Sequence, residues 1–415
     1  MREDVFLIID DQKSIALFLK DQLEQLSPLP VLTCHSLAEA KAVLNTDINV
    51  VVCLSDLHLP DAPRGEAIDL LNSRHITTVV LTGSYSEEIR KEMFQKKVAD
   101  YVIKDNPSSI RYALQTVITL YKNAQRTLWI LTSGQSAYSN KLVGLLRIHR
   151  FQVKLFESPE ELSTQLAKSQ PDLILLEDVD NIRHSNIYEF INKVRERFSQ
   201  NQLPMMACEP SDNIATAIKM MKYGVNDFFN TTFTVEELYV RIKQNIDHAC
   251  AYNEIEYISQ RDALTGAYNR GYFFKQGHVL FNQLKQMRKY FFVVMADIDH
   301  FKLVNDNHGH QKGDEAIIFM ADTLQTVFAD FLVARFGGEE FCVLGEAKDA
   351  TQIEALCEQL RAKVETESQQ KVGIPFTVSQ GLTFSGDDLE GAIARADKAL
   401  YRSKEQGRNR VSVEF

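Results

Sequence analysis

Four short apolar runs punctuate the early part of the chain: VFLII (5–9), VVVCL (50–54), TVVL (78–81) and YVI (101–103). Each is of strand length and continuously apolar, as in a parallel sheet covered on both faces. Between them, SIALFLKDQLEQL (14–26), SLAEAKAVL (36–44) and SEEIRKEMFQKK (86–97) place apolar residues at helical spacing. The alternation predicts a doubly wound (βα)5 domain over residues 1–123. The pattern then returns. LWILT (128–132), PDLILLED (171–178), LPMMAC (203–208) and NDFF (226–229) answer the first, third, fourth and fifth strands, and predict a second copy over residues 124–248. Residues 235–262 lack Gly and Pro, and Val235, Leu238, Ile242, Ile246, Ala249, Ile255 and Ile258 keep near-helical spacing. This predicts that the last helix of the second copy runs on into a connecting helix, 249–261, with two helices broken near Tyr252 as the alternative.

Residues 262–415 follow a different order. YFFVVMADID (290–299) reads as a strand ending in carboxylates, and GDEAIIFMADTLQTVF (313–328) as an amphipathic helix. LVARF and FCVL flank GGEE as a hairpin. A helix (about 349–367), a strand (374–384) and a helix (389–406) complete a β-α-β-β-α-β core with additions, an antiparallel α/β sandwich.

Composition narrows the class. A chain of 415 residues with 45% hydrophobic and 25% charged residues suits about three soluble domains. The net charge of −10 argues against nucleic-acid binding, which needs a basic surface. The six cysteines form no CxxC pair, which suggests free thiols in a reducing cytoplasm. No apolar run reaches the ~20 residues of a membrane span, and the opening MREDVFLIIDD reads as a strand rather than a signal peptide.

In an open parallel sheet, functional groups gather at the carboxyl ends of the strands. Asp10, Asp11, Asp56, Thr82 and Lys104 fall there in the first copy. Three crowded carboxylates call for a hard cation such as Mg2+. One aspartate can then attack a phosphoryl donor, with Thr82 and Lys104 binding the added oxygens. This set resembles a two-component receiver domain. The resemblance implies that Asp56 is the phosphoacceptor, that Asp11, Asp56 and the His58 carbonyl hold Mg2+ with Asp10 nearby, and that Tyr101 is the aromatic switch residue. In the second copy the acidic pair is replaced by Thr132 and Ser133, and the lysine by Thr231 followed by Thr232. Glu177 or Asp178 stands near the acceptor position. The second copy is therefore expected to be a degenerate receiver, a dimerisation or adaptor surface.

In the third region, Asp297 and Asp299 from one strand and Glu339 and Glu340 from the hairpin are expected to bring at least three carboxylates to one spot, a site for Mg2+ or Mn2+. Two metals on one phosphate polarise it and steady a leaving pyrophosphate. Gly337 and Gly338 allow a tight turn close to a phosphate ester. Lys404 and Arg408 can neutralise phosphates, and the amide of Asn305 with the carboxylate of Asp314 can match a guanine edge. DALTGAYNR (262–270), DIDHFKLVNDNHGHQKGD (297–314), RFGGEEF (335–341) and ADKALYRSKEQGRNRV (396–411) resemble the motifs of the GGDEF family of diguanylate cyclases, in order and spacing.

That resemblance implies an enzyme condensing two GTP into cyclic di-GMP, with two divalent ions per site. Asp297, the Ile298 carbonyl and Glu339 would bind the metals, with Glu340 close by. Glu339 would accept the proton and Lys302 would stabilise the transition state. Asn305, His310 and Asp314 would hold guanine, and Lys404 and Arg408 the phosphates. Tandem receivers before such a domain resemble a response regulator served by a histidine kinase or phosphotransfer protein and acting as a homodimer. A catalytically silent GTP-binding scaffold is the alternative. One departure stands out: the charged positions of the family's RxxD product site fall on Phe328 and Phe331, with Asp330 one place out of register.

Overall fold

The structure, a computed structural model, describes residues 3–83, 86–134, 137–177, 187–209, 214–230 and 232–414. Two compact units divide the chain, Met1–Asn253 and Glu254–Phe415.

The first unit opens with β1 (Glu3–Ile9), α1 (Lys13–Leu26), β2 (Val31–Cys34), α2 (Leu37–Leu44), β3 (Ile48–Asp56), α3 (Glu66–Ser73), β4 (Thr78–Thr82), α4 (Glu87–Gln95), β5 (Asp100–Ile103) and α5 (Pro107–Asn123). The strands pair in parallel in the order β2-β1-β3-β4-β5. The apolar runs are buried on both sides, since Phe6 and Ile8 pack into one core and Leu7 and Ile9 into another. Helix starts follow local chemistry. Ser36 accepts the Glu39 N–H, and Asn106 accepts from Ser108 and Ser109 with Pro107 in the first helical position.

The same order repeats in β6 (Thr127–Leu131), α6 (Ala137–Ile148), β7 (Gln152–Phe156), α7 (Pro159–Leu166), β8 (Leu173–Glu177), α8 (Ile187–Arg197), β9 (Met205–Glu209), α9 (Ile214–Tyr223), β10 (Asp227–Asn230) and α10 (Val235–Gln260). The strand order β10-β9-β8-β6-β7 is the topology of the first sheet. Tyr252 lies inside α10, so the alternative of a break there is not what forms.

The second unit contains β11 (Tyr268–Asn269), α11 (Arg270–Gln286), β12 (Phe291–Ile298), α12 (Phe301–His308), α13 (His310–Val327), β13 (Leu332–Gly337), β14 (Glu340–Glu346), α14 (Ala350–Val372), β15 (Val378–Thr383), α15 (Leu389–Glu405) and β16 (Val411–Glu414). The sheet order is β11-β13-β14-β12-β15-β16. The inner four strands are antiparallel, as the β-α-β-β-α-β reading requires. The edges β11 and β16 are parallel, so the sheet is mixed rather than wholly antiparallel. At one edge the cause is plain: α15 is a crossover from β15, and a crossover returns the chain in the same direction.

One face of this sheet packs on α13 and α14, the other on α11 and α15. Helix α15 lies almost in contact with β15. A Cβ at Gly381 would stand 2.1 Å from the Ala396 carbonyl oxygen and the Leu400 nitrogen. That close approach brings Lys404 to the end of β12.

Candidate active site and phosphoacceptor site

The Gly-Gly-Glu-Glu stretch forms the turn of the β13–β14 hairpin, closed by the Gly337–Glu340 pair. Gly337 and Gly338 have φ of 157° and 52°, and a Cβ at either would meet open space. The second value is the left-handed region that glycine enters at no steric cost. The hairpin is held from below. Arg335 Nε donates to the Gly338 carbonyl at 2.9 Å, and its Nη1 pairs with Asp262 Oδ1 at 2.8 Å. Asp262 also accepts from the Thr265 N–H and hydroxyl. Burial works to raise its pKa, but Arg335 and Thr265 outweigh it and hold the carboxyl below its usual range. This strut gives DALTG a physical role that sequence reasoning missed, because its two halves lie 73 residues apart.

β12 brings Asp297 opposite Glu340 of β14 and Ser379 of β15. Asp297 is 4% exposed, and its carboxylate meets Lys404 Nζ at 2.8 Å. Burial pushes its pKa up to about 6; Lys404 opposes the shift, and Glu339 and Glu340 add to it. The expected acidic convergence is looser than anticipated. Asp299 is withdrawn from it, because its carboxylate accepts from Thr377 Oγ1, Ser379 Oγ and the Asn409 N–H. Among the described residues, the only three carboxylates with ligand atoms within 4.8 Å of one another belong to the first receiver-like fold.

Next to β12, Lys302 lies exposed in the first turn of α12. His310 and Asp314 are one turn apart on α13, both exposed. Asn305 of α12 leans against the bare Cα of Gly313; a Cβ there would stand 1.9 Å from its Oδ1. Gly313, the residue before Asp314, therefore leaves the space that the Asn305 side chain fills. Arg408, half-buried, follows α15 at φ 62°. At the positions of the absent RxxD, Phe328 is fully buried and Phe331 packs edge-on against Phe292 at 4.9 Å.

In the first receiver-like fold Asp10, Asp11 and Asp56 form that acidic cluster. Lys104 Nζ bridges two of its members, at 2.5 Å from Asp10 and 2.7 Å from Asp56. Burial raises the pKa of Asp10 in spite of Lys104. For Lys104 itself the two carboxylates outweigh burial and raise the pKa. Asp56 accepts the His58 N–H at 3.3 Å. Thr82 is fully buried at the end of β4, and Tyr101 is buried beside it on the neighbouring strand.

In the second fold, register decides the equivalences. Ile9 pairs with Ser55, and Leu131 with Leu176, so Thr132 stands for Asp10 and Glu177 for Asp56. Glu177 is buried and accepts from Ser139 Oγ at 2.5 Å, which in turn meets Thr132 Oγ1 at 3.3 Å. A hydroxyl network thus takes the place of the acid pair. Asp178 and Thr231 lie outside the described residues. None of the six cysteines, all of them among the described residues, is in a disulfide, and no described helix is long and apolar enough to cross a membrane.

Two receiver-like folds followed by a nucleotide-cyclase-like sheet with a Gly-Gly-Glu-Glu hairpin define a response-regulator architecture. The family described as diguanylate cyclase, GGDEF domain, matches residues 259–410. The chain is 30% identical over 268 residues to the diguanylate cyclase VdcA of Vibrio cholerae, which covers 61% of this chain and 73% of VdcA. It is 29% identical over 289 residues to the response regulator PleD of Caulobacter vibrioides, covering 62% of this chain and 60% of PleD. A crystal structure of a two-component system response regulator/GGDEF domain protein matches with a TM-score of 0.51 at 29% identity, over 60% of this chain and 99% of that one. The chain belongs to the GGDEF family of diguanylate cyclases.

Proposed function

We propose that the chain is a phosphorylation-controlled response regulator that condenses two GTP into cyclic di-GMP and two pyrophosphates. Residues 262–415 carry the chemistry, residues 1–123 accept a phosphoryl group, and residues 124–248 form a dimerisation or adaptor surface. The observation that carries the reading is the buried Asp297 carboxylate, paired in register with Glu340 and facing Lys404. Its raised pKa is the mark of a charge that a cation would relieve.

Asp297, the Ile298 carbonyl and Glu339, with Glu340 close by, would hold Mg2+ or Mn2+, two ions per site. When bound, they supply positive charge to the α-phosphate and to the leaving pyrophosphate. The rest falls to the chain. Asn305, His310 and Asp314 hold guanine at the junction of α12 and α13. Arg408 and Lys404 hold the β- and γ-phosphates, Lys404 exchanging its contact with Asp297. Glu339 takes the proton of the attacking 3′-hydroxyl, and Lys302 balances charge as it develops. Each 3′-oxygen forms a bond to the other GTP's α-phosphorus, and the bond from that phosphorus to the bridging oxygen breaks. One domain holds only half the reacting set, so the rate depends on bringing two together as a homodimer.

Control lies in the first fold. Asp11, Asp56 and the His58 carbonyl would hold Mg2+ among the clustered carboxylates. An Asp56 oxygen attacks the phosphorus of a donor, a histidine kinase or phosphotransfer protein, and the donor's bond to phosphorus breaks. Lys104, paired with Asp56, and the buried Thr82 hydroxyl would bind the new phosphoryl oxygens. Movement of Thr82 and Tyr101 then favours the dimer, and α10 aligns the cyclase domains. Incubation of the purified protein with GTP and Mg2+, followed by chromatography, tests the chemistry. Cyclic di-GMP supports it; GTP bound but recovered intact would indicate a silent scaffold.

A further inference from the structure

Between α15 and β16 the backbone passes through three successive residues at positive φ: Gly407 at 115°, Arg408 at 62° and Asn409 at 47°. Glycine enters this region freely and asparagine tolerates it. Arginine stays there only where the surroundings impose it. The imposing groups converge on Asn409. Its N–H donates to Asp299 Oδ2 at 3.0 Å, and its Nδ2 donates to Glu365 Oε1 at 2.7 Å. Its Oδ1 accepts from Arg361 Nη1 at 3.0 Å, and the same nitrogen donates to Glu365 Oε2 at 2.6 Å. The Asn409 amide thus closes a ring with an ion pair on α14. Asp299 is itself fixed by Thr377 Oγ1 at 2.7 Å and Ser379 Oγ at 2.6 Å. On either side, the Arg408 N–H donates to the Ser403 carbonyl and the Gln380 N–H to the Arg410 carbonyl, both at 2.9 Å.

We propose that Asn409, anchored by Asp299, Glu365 and Arg361, is a positioning residue: it locks the turn that presents the Arg408 guanidinium to the phosphates of GTP. The second aspartate of the Asp-Ile-Asp motif then serves this anchor rather than a metal. The inference rests on the reading of Arg408 as a phosphate ligand and assigns a cause to its backbone conformation.

A double-mutant cycle on the full-length protein tests it. Asn409→Ala is expected to raise KM for GTP roughly tenfold while kcat changes much less, because a ground-state contact is lost. Added to Arg408→Ala, it is expected to cost almost nothing more, since Asn409 acts through Arg408. Asn409→Gly keeps the turn accessible but removes the amide, and is expected to match Asn409→Ala. Calorimetric titration with a non-hydrolysable GTP analogue and Mg2+ runs the same cycle without turnover. An inactive wild type that binds the analogue would therefore sink the cyclase reading and leave this cycle readable. Losses that simply add across the cycle, or a wild-type KM and affinity in Asn409→Gly, would overturn the proposal.

Discussion

Replacing Asp297 by asparagine should stabilise the metal-free protein while ending turnover. The carboxyl is 4% exposed, and burial aided by Glu339 and Glu340 lifts its pKa from 3.8 to about 6 against the pull of Lys404. A carboxyl whose pKa is higher in the folded chain is ionised at a cost to folding. That cost is absent below 3.8, grows as pH rises, and is full above about 6. A shift of this size corresponds to at most about 3 kcal/mol. The asparagine variant also removes the partner of Lys404, which stays partly solvated, so ~1–2 kcal/mol is the expected net gain. In a unit of this size each kcal/mol moves Tm by about 2–4 °C, so the gain near pH 8 in EDTA is roughly 2–8 °C. It should fade towards pH ~4. Differential scanning calorimetry reads the shift. Fluorescence of Trp129, the single tryptophan, reports the N-terminal unit and should not move. Mg2+ should shrink or reverse the difference by binding the wild type preferentially. An Asp297→Asn variant less stable than wild type near pH 8 in EDTA would refute the argument that this charge is held under strain.

Gly313→Ala should displace Asn305, since the new methyl group would stand 1.9 Å from its Oδ1. KM for GTP is expected to rise by roughly tenfold or more in steady-state assays, and wild-type kinetics would detach Asn305 from guanine. Cyclic di-GMP titrated calorimetrically into the metal-free protein should reveal no tight arginine-dependent site, because Phe328 and Phe331 fill the charged positions with core aromatics. A submicromolar isotherm lost on mutation near Asp330 would contradict this. Asp56→Asn should abolish any gain in dimerisation and turnover caused by beryllofluoride, measured by light scattering and product formation. An undiminished response would break the link between receiver and cyclase.

What could be read from the chain followed the range of the interactions. Buried parallel strands such as VVVCL declare themselves as unbroken apolar runs. The edge strands β2, β7 and β16 do not: Lys154 and Leu155 of β7 face solvent, so no continuous run marks it. Asp10, Asp56, Thr82 and Lys104 were legible because strand ends in this topology share one edge of the sheet. The roles of Asp262 and Asp299 were not. Their partners Arg335 and Asn409 lie 73 and 110 residues away, and only the closed sheet sets them within hydrogen-bond reach. Asp299 counted among the carboxylates expected to converge with Asp297, yet three donors already occupy it. In the second fold, pairing register was needed to choose Glu177 as the counterpart of Asp56.

The most direct test is GTP turnover over a range of protein concentrations, with and without beryllofluoride, for the wild type and Glu339→Gln. The account predicts cyclic di-GMP from the wild type alone, with specific activity rising with protein concentration and rising earlier when beryllofluoride is present. GTP that is bound and returned unchanged at every concentration, or equal turnover in Glu339→Gln, would contradict it.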